Sequence, residues 1–164
     1  MKLLGVSNQS IQSVLSSFKG VKHRTQFVKE LNGRRFYNDS KATTPDASIT
    51  ALKAFEPGTA IFIVGGYDKH LDMRPMYEAL ATRAKAVLCI GAMGPTIAAN
   101  LAKIHTQGSP PVYTCNDLAT AVKLARQSAQ PGDTILLSPG CASYDQFPNF
   151  EKRGELFAEL ARSA

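Results

Sequence analysis

The sequence has no tryptophan, no long apolar run and no block of like charge. A membrane-spanning helix needs roughly 18–20 consecutive apolar residues, and nothing in the 164 residues approaches that. The N-terminal MKLLGVSNQS holds one lysine and a short apolar patch, too short for the core of a secretory leader. The three cysteines, Cys89, Cys115 and Cys141, are widely spaced; no CxxC occurs, and His23, His70 and His105 do not flank them. That spacing excludes a zinc ribbon and a disulfide framework. No metal site is expected, and the thiols are expected to be reduced, as in a cytoplasmic protein. The net charge of +6 suits an anionic ligand. The basic residues are nonetheless scattered (Lys19, Lys22, Arg24, Lys29, Arg34, Arg35, then singly), without the aromatic-basic motif of an RNA-binding sheet. Neither nucleic acid nor a membrane is expected as a partner.

What is present is alternation. Ile11, Val14, Leu15 and Phe18 recur at the spacing of one helix face. Two extended runs, RTQFVKE and RRFYND, flank Asn32-Gly33, a hairpin signal because both residues tolerate positive φ. Thr44-Pro45 reads as the N-cap and first residue of a helix carrying Ile49, Leu52 and Phe55. AIFIV (60–64), AVLCI (86–90) and TILL (134–137) are continuously apolar, as in strands covered on both faces. Helical stretches separate them, with Met76, Leu80 and Ala84, then Ile97, Leu101 and Ile104, then Leu118, Val122 and Ala125 pointing inward. PVYT (111–114) is a short strand, and a last helix from about Asn149 buries Phe150, Phe157 and Leu160. The expected fold is α/β: a Rossmann-like three-layer sandwich whose mostly parallel sheet gains an antiparallel strand from the N-terminal hairpin. Without repeats or linkers, residues 1–164 are expected to form a single domain.

In such sheets ligands gather beyond the carboxyl ends of the strands. NDSKATT, GGYDKHLDM, GAMG and SPGCASYDQF fall there. In the first, a capping Thr44 and an Asx-turn at Asp39 would account for two residues and leave Ser40, Lys41 and Thr43 unexplained. Lys41, Lys69, Thr43 and Ser143 on these neighbouring loops would make a pocket suited to a carboxylate or phosphate, lysine supplying charge and hydroxyls supplying direction. There is no G-x-x-x-x-G-K-S/T loop to cradle a triphosphate, no H-E-x-x-H, no G-x-S-x-G and no nucleophile-base pair, so no catalytic residue is assigned. The residues alone describe an α/β binding domain.

HR at 23–24, NDSKAT at 38–43, GGYDK at 65–69 and LLSPGCASYDQFPNFEKRGELF at 136–157 resemble the C-terminal domain of the Mur ligases. Within the family the match is to members that join D-glutamate to UDP-N-acetylmuramoyl-L-alanine in peptidoglycan synthesis. The resemblance implies an ATP-dependent amide ligase of three domains, using ATP and Mg2+, of which this one brings D-glutamate and closes over ATP about a hinge before Gly5. It implies that Thr43, Lys69 and Ser143 bind the D-glutamate carboxylates, with Tyr144 and Phe150 beside them. Arg24 and Asp39 would meet the ATP ribose region, with Lys41 close by. UDP-N-acetylmuramoyl-L-alanine would be held by the two domains absent from this sequence, so this chain is expected to be an excised piece, inactive alone and binding no cofactor by itself. Two positions depart from the family pattern: Tyr67 stands where an Asp is common, and Tyr144 where a smaller apolar residue is. The alternatives are a domain of another Mur or folylpolyglutamate-type ligase, or a non-enzymatic module binding an anionic metabolite.

Overall fold

Every residue of the three continuous apolar runs is buried, because each run becomes a strand packed on both faces. In this computed structural model, which describes residues 5–18 and 20–163, they are β3 (Ala60–Gly65), β4 (Ala86–Ile90) and β6 (Thr134–Leu137). The hairpin supplies β1 (Gln26–Leu31) and β2 (Arg34–Asn38), turning at Asn32 and Gly33 with φ of 51° and 73°. β5 (Val112–Thr114) completes a six-stranded sheet in the order β1-β2-β6-β3-β4-β5. Among these strands only the β1–β2 pairing is antiparallel.

Side chains alternate along each strand, so the two faces collect different residues. Phe62, Val64, Val87, Cys89 and Leu136 face one helical layer: α2 (Pro45–Lys53), α3 (Arg74–Arg83) and α4 (Gly94–Lys103). Phe36, Ile61, Ile63, Leu88 and Ile135 face the other: α5 (Leu118–Ser128) and α6 (Phe150–Arg162). The expected three layers are thus present. β6 lies between β2 and β3, whereas β4 and β5 extend from the opposite side of β3. The chain order therefore reverses at β3, and the crevice of a doubly wound sheet opens at such a reversal.

Three details differ from the sequence reading. Thr44 occupies the N-cap of α2, but its hydroxyl makes no capping bond; Pro45 at the start removes one of the donors that need it. Ile104 lies past the end of α4 and is 39% exposed. The apolar face near the N-terminus is helical, α1 (Asn8–Ser17), yet it covers nothing: α1 buries no residue, and Val14, Leu15 and Phe18 are exposed. The first part of MKLLG, and with it the expected hinge before Gly5, lies outside the described residues.

Candidate functional site

The four segments singled out in the sequence leave the carboxyl ends of β2, β3, β4 and β6, and backbone hydrogen bonds stitch them to one another. Gly140 N–H donates to Ala42 O at 2.9 Å, joining the segment after β6 to the one after β2. Gly65 N–H donates to Pro139 O at 2.8 Å and Tyr67 N–H to Ala142 O at 2.9 Å, joining β3's loop to the same segment. Met93 N–H donates to Gly66 O at 2.9 Å, and Ala92 N–H to Asp145 Oδ2 at 2.8 Å, adding the loop after β4.

This close approach is why a glycine stands at 66. Its φ is +139°, and a Cβ there would drive into Ala142 O with the Arg153 guanidinium just behind. Gly66→Ala is expected to lower stability by about 2 kcal/mol through backbone strain and displacement of that loop. Urea denaturation measures it, and an unchanged midpoint would show that the loops are not held this closely.

Arg153 joins the loops from beneath. It enters from the first turn of α6 and is 1% exposed. Nε donates to Ser40 Oγ at 3.1 Å, Nη1 to Ala142 O at 3.0 Å, and Nη2 to Ser40 O at 2.9 Å and Cys141 O at 3.1 Å. Burial holds its pKa down at about 10, since peptide dipoles only partly replace lost water. Sequence reading missed Arg153. The signal was its spacing of four from Phe157 and eight from Ala161, both 0% exposed, which puts it on the buried stripe of α6.

On this frame the structure brings Lys69 and Thr43 together: Lys69 Nζ donates to Thr43 Oγ1 at 3.5 Å, a long contact. Lys69 is exposed, and among the described residues no carboxylate comes within ion-pair distance of it. Ser143 lies one residue beyond the bridge that pairs Tyr67 with Ala142. It is 2% exposed. Tyr144 projects outward beside it and meets Tyr67 edge to face. The Lys69 ammonium thus stands beside one hydroxyl, that of Thr43, with no carboxylate paired to it among the described residues.

Asp39 departs from its expected Asx-turn. Asn38 closes that turn, its Oδ1 accepting from Ser40 N–H at 3.1 Å. The Asp39 carboxylate instead accepts from Thr25 N–H at 2.9 Å and Ser138 Oγ at 2.8 Å, and burial raises its pKa. Arg24 and Asp39 share a cleft of about 270 Å3 with Thr25, Ala47 and Thr50. Lys41 does not line that cleft; its ammonium stands 5.5 Å from the Phe150 ring centroid. His23 packs against the same ring, is 3% exposed, and has its pKa lowered, first by burial and then by Lys22. A larger cleft of about 500 Å3 opens beside Lys22, Gln26 and Arg162, away from Lys69, Thr43 and Ser143.

Comparison with known proteins gives a consistent result. Residues 23–141 match the family described as "Mur ligase, glutamate ligase domain". The curated UDP-N-acetylmuramoylalanine–D-glutamate ligase of Acidobacterium capsulatum is 44% identical over 97% of this chain, which spans 33% of that protein. The enzyme of the same name from Solibacter usitatus is 46% identical over 95% of the chain and 34% of its own length. The chain therefore spans about a third of the curated relatives it matches. Among solved structures, the UDP-N-acetylmuramate-alanine ligase of Thermotoga maritima superposes with a TM-score of 0.70, covering 99% of this chain and 35% of that one. At 18% identity that likeness speaks for the fold alone.

Proposed function

The chain belongs to the Mur ligase family, in its glutamate ligase domain, and from that premise we propose that it is the amino-acid-binding domain, residues 1–164, of a ligase that adds D-glutamate to UDP-N-acetylmuramoyl-L-alanine. The observation that carries the reading is the Lys69–Thr43 contact on loops that backbone hydrogen bonds tie to the segment bearing Ser143, at the carboxyl ends of β2, β3 and β6. Their donors suit the two carboxylates of D-glutamate: Lys69 neutralises charge, and the hydroxyls of Thr43 and Ser143 fix direction. The chain's part in the reaction is to bind the amino acid and hold its amine facing the rest of the protein, where the acceptor carboxylate is activated. Phe150, held by His23 and Lys41, supports the wall of this site.

The cleft of Arg24 and Asp39 fits the ribose end of ATP. Asp39 lines the cleft with acceptor lone pairs left beyond its bonds to Thr25 and Ser138, and the exposed Arg24 guanidinium attracts the nucleotide's negative charge. ATP supplies the phosphoryl group that activates the acceptor carboxylate when bound. The P-loop and the Mg2+ ligands are assigned to the remaining two-thirds of the protein, as is the UDP-sugar site, so the chain alone is proposed to be inactive. The reading also assigns it to the cytoplasm; among the described residues no helix is long and apolar enough to cross a membrane.

The test is an NMR titration of this chain with D-glutamate. Amide shifts are expected at Thr43, Lys69, Tyr67 and Ser143, with a dissociation constant of about 1 mM or weaker because part of the pocket is missing. Shifts centred on the cleft beside Lys22 and Arg162, or none at all, would sink the assignment.

A further inference from the structure

α1 has the pattern of a packed helix and none of the packing. Ile11, Val14, Leu15 and Phe18 share one face at helical spacing. Yet α1 buries no residue, and Val14, Leu15 and Phe18 are 61%, 69% and 63% exposed. Val6 and Val21, on either side, are exposed too. The rest of the helix is Asn, Gln and Ser, with no charged residue to form pairs along its surface. A helix of ten residues with neither pairs nor packing is below the length that holds in water by itself. Its ends are nonetheless finished: Ser7 Oγ accepts from Ser10 N–H at 3.1 Å, and Phe18 N–H donates to Val14 O at 2.8 Å. A capped, uncharged helix with a bare apolar face has the form of one side of an interface.

The domain beneath does not supply the other side. Both faces of the sheet are filled by α2 to α6, and neither core layer takes in a residue of α1. The comparisons divide the chain at the same place. The glutamate ligase domain match opens at residue 23, past α1. The Acidobacterium capsulatum relative matches over 97% of this chain, which cannot omit the ten residues of α1, and this chain spans only 33% of that protein. α1 is therefore shared with the whole ligase and lies outside the domain that the rest of the chain forms. A second copy of this chain would have to find the bare face by diffusion. A unit joined directly ahead of α1 is held beside it at an effective concentration on the order of millimolar.

We propose that the Val14, Leu15 and Phe18 face of α1 is an interdomain docking surface, seated on an apolar patch of the unit that precedes this domain in the same polypeptide. α1 then moves with that unit. The boundary between the two bodies falls at residues 20–22 and not before Gly5. The proposal goes beyond the amino-acid site and does not depend on what that site binds.

Hydrogen exchange read by mass spectrometry, on this chain and on the full-length protein, tests it. The amides of α1 are expected to exchange at least about ten-fold more slowly in the full-length protein than in this chain. Leu15→Ser combined with Phe18→Ser is expected to abolish that gain in the full-length protein while β3 and β4 keep their protection. If the pair prevents folding of the full-length protein, Val14→Ser alone should give a partial loss of the same gain. In this chain the paired substitution should leave the urea midpoint unchanged. Equal exchange of α1 in the two proteins, or a gain that survives the substitutions, would overturn the proposal. So would a lowered midpoint in this chain, which would place α1 in its own domain. Protection of α1 that rises with the concentration of this chain would assign the face to a second copy instead. None of these results would alter the shifts that D-glutamate is expected to cause at Thr43 and Lys69, so the two readings stand or fall separately.

Discussion

An Arg153→Met variant is expected to unfold about 3–5 kcal/mol more easily than the unsubstituted protein. The guanidinium is almost wholly buried and has no carboxylate partner among the described residues; four acceptor contacts on two loops hold it. Methionine has similar reach and no donor. It leaves Ser40 O and Cys141 O without these bonds, while Ala142 O keeps Tyr67 N–H. Each buried acceptor left unpaired costs about 1–3 kcal/mol, and the lost order of the loops adds to it. Relief of the desolvated charge offsets part of this, which keeps the figure below the simple sum. Arg153→Lys is expected to recover only a fraction, because one ammonium cannot span acceptors that a planar fork reaches from two sides. Urea denaturation gives the stability, and hydrogen exchange at Gly140 and Tyr67 shows where it is lost. A cost below about 1 kcal/mol would mean that the stitching hydrogen bonds suffice without the arginine.

That arginine also marks the limit of what the sequence alone reveals. The fold was largely legible because its cues are local. Three unbroken apolar runs predict buried strands, Asn32-Gly33 predicts the hairpin, and alternation with helices predicts the parallel sheet. The four loops were legible as one rim because strand ends in such a sheet share an edge. What joins them was not legible. Asp39 seemed occupied by a local turn, but its partners are Thr25 and Ser138, 14 and 99 positions away, while neighbouring Asn38 makes the turn. Lys41 sits between Ser40 and Thr43 and seemed to belong with them, yet its ammonium points to Phe150. Periodicity describes α1 correctly as a helix but is silent on whether its apolar face finds a partner, which only the tertiary structure answers. Spacing reports which face a side chain takes; it does not report which distant carbonyl completes a hydrogen bond.

On the proposed function, Lys69→Ala in the full-length protein is expected to raise the KM for D-glutamate by about 10- to 100-fold, the loss of the proposed charge-assisted contact to a carboxylate. The KM for UDP-N-acetylmuramoyl-L-alanine should move by less than about two-fold, since that substrate is assigned to other domains. The contrast is informative because Lys69 contributes little to the fold. It is exposed, it lacks an ion pair among the described residues, and its one bond to Thr43 Oγ1 is long. A change in thermal midpoint is therefore not expected, which separates Lys69 from Arg153, whose loss would weaken every property of the rim together. Thr43→Val, nearly isosteric, should act on the same constant more weakly, and the double substitution should cost less than the sum of the two if both side chains grip one carboxylate. Strict additivity would place Lys69 and Thr43 on separate groups of the substrate. An equal rise in both Michaelis constants would remove Lys69 from the amino-acid site altogether, because a lysine serving only domain closure would burden the two substrates alike.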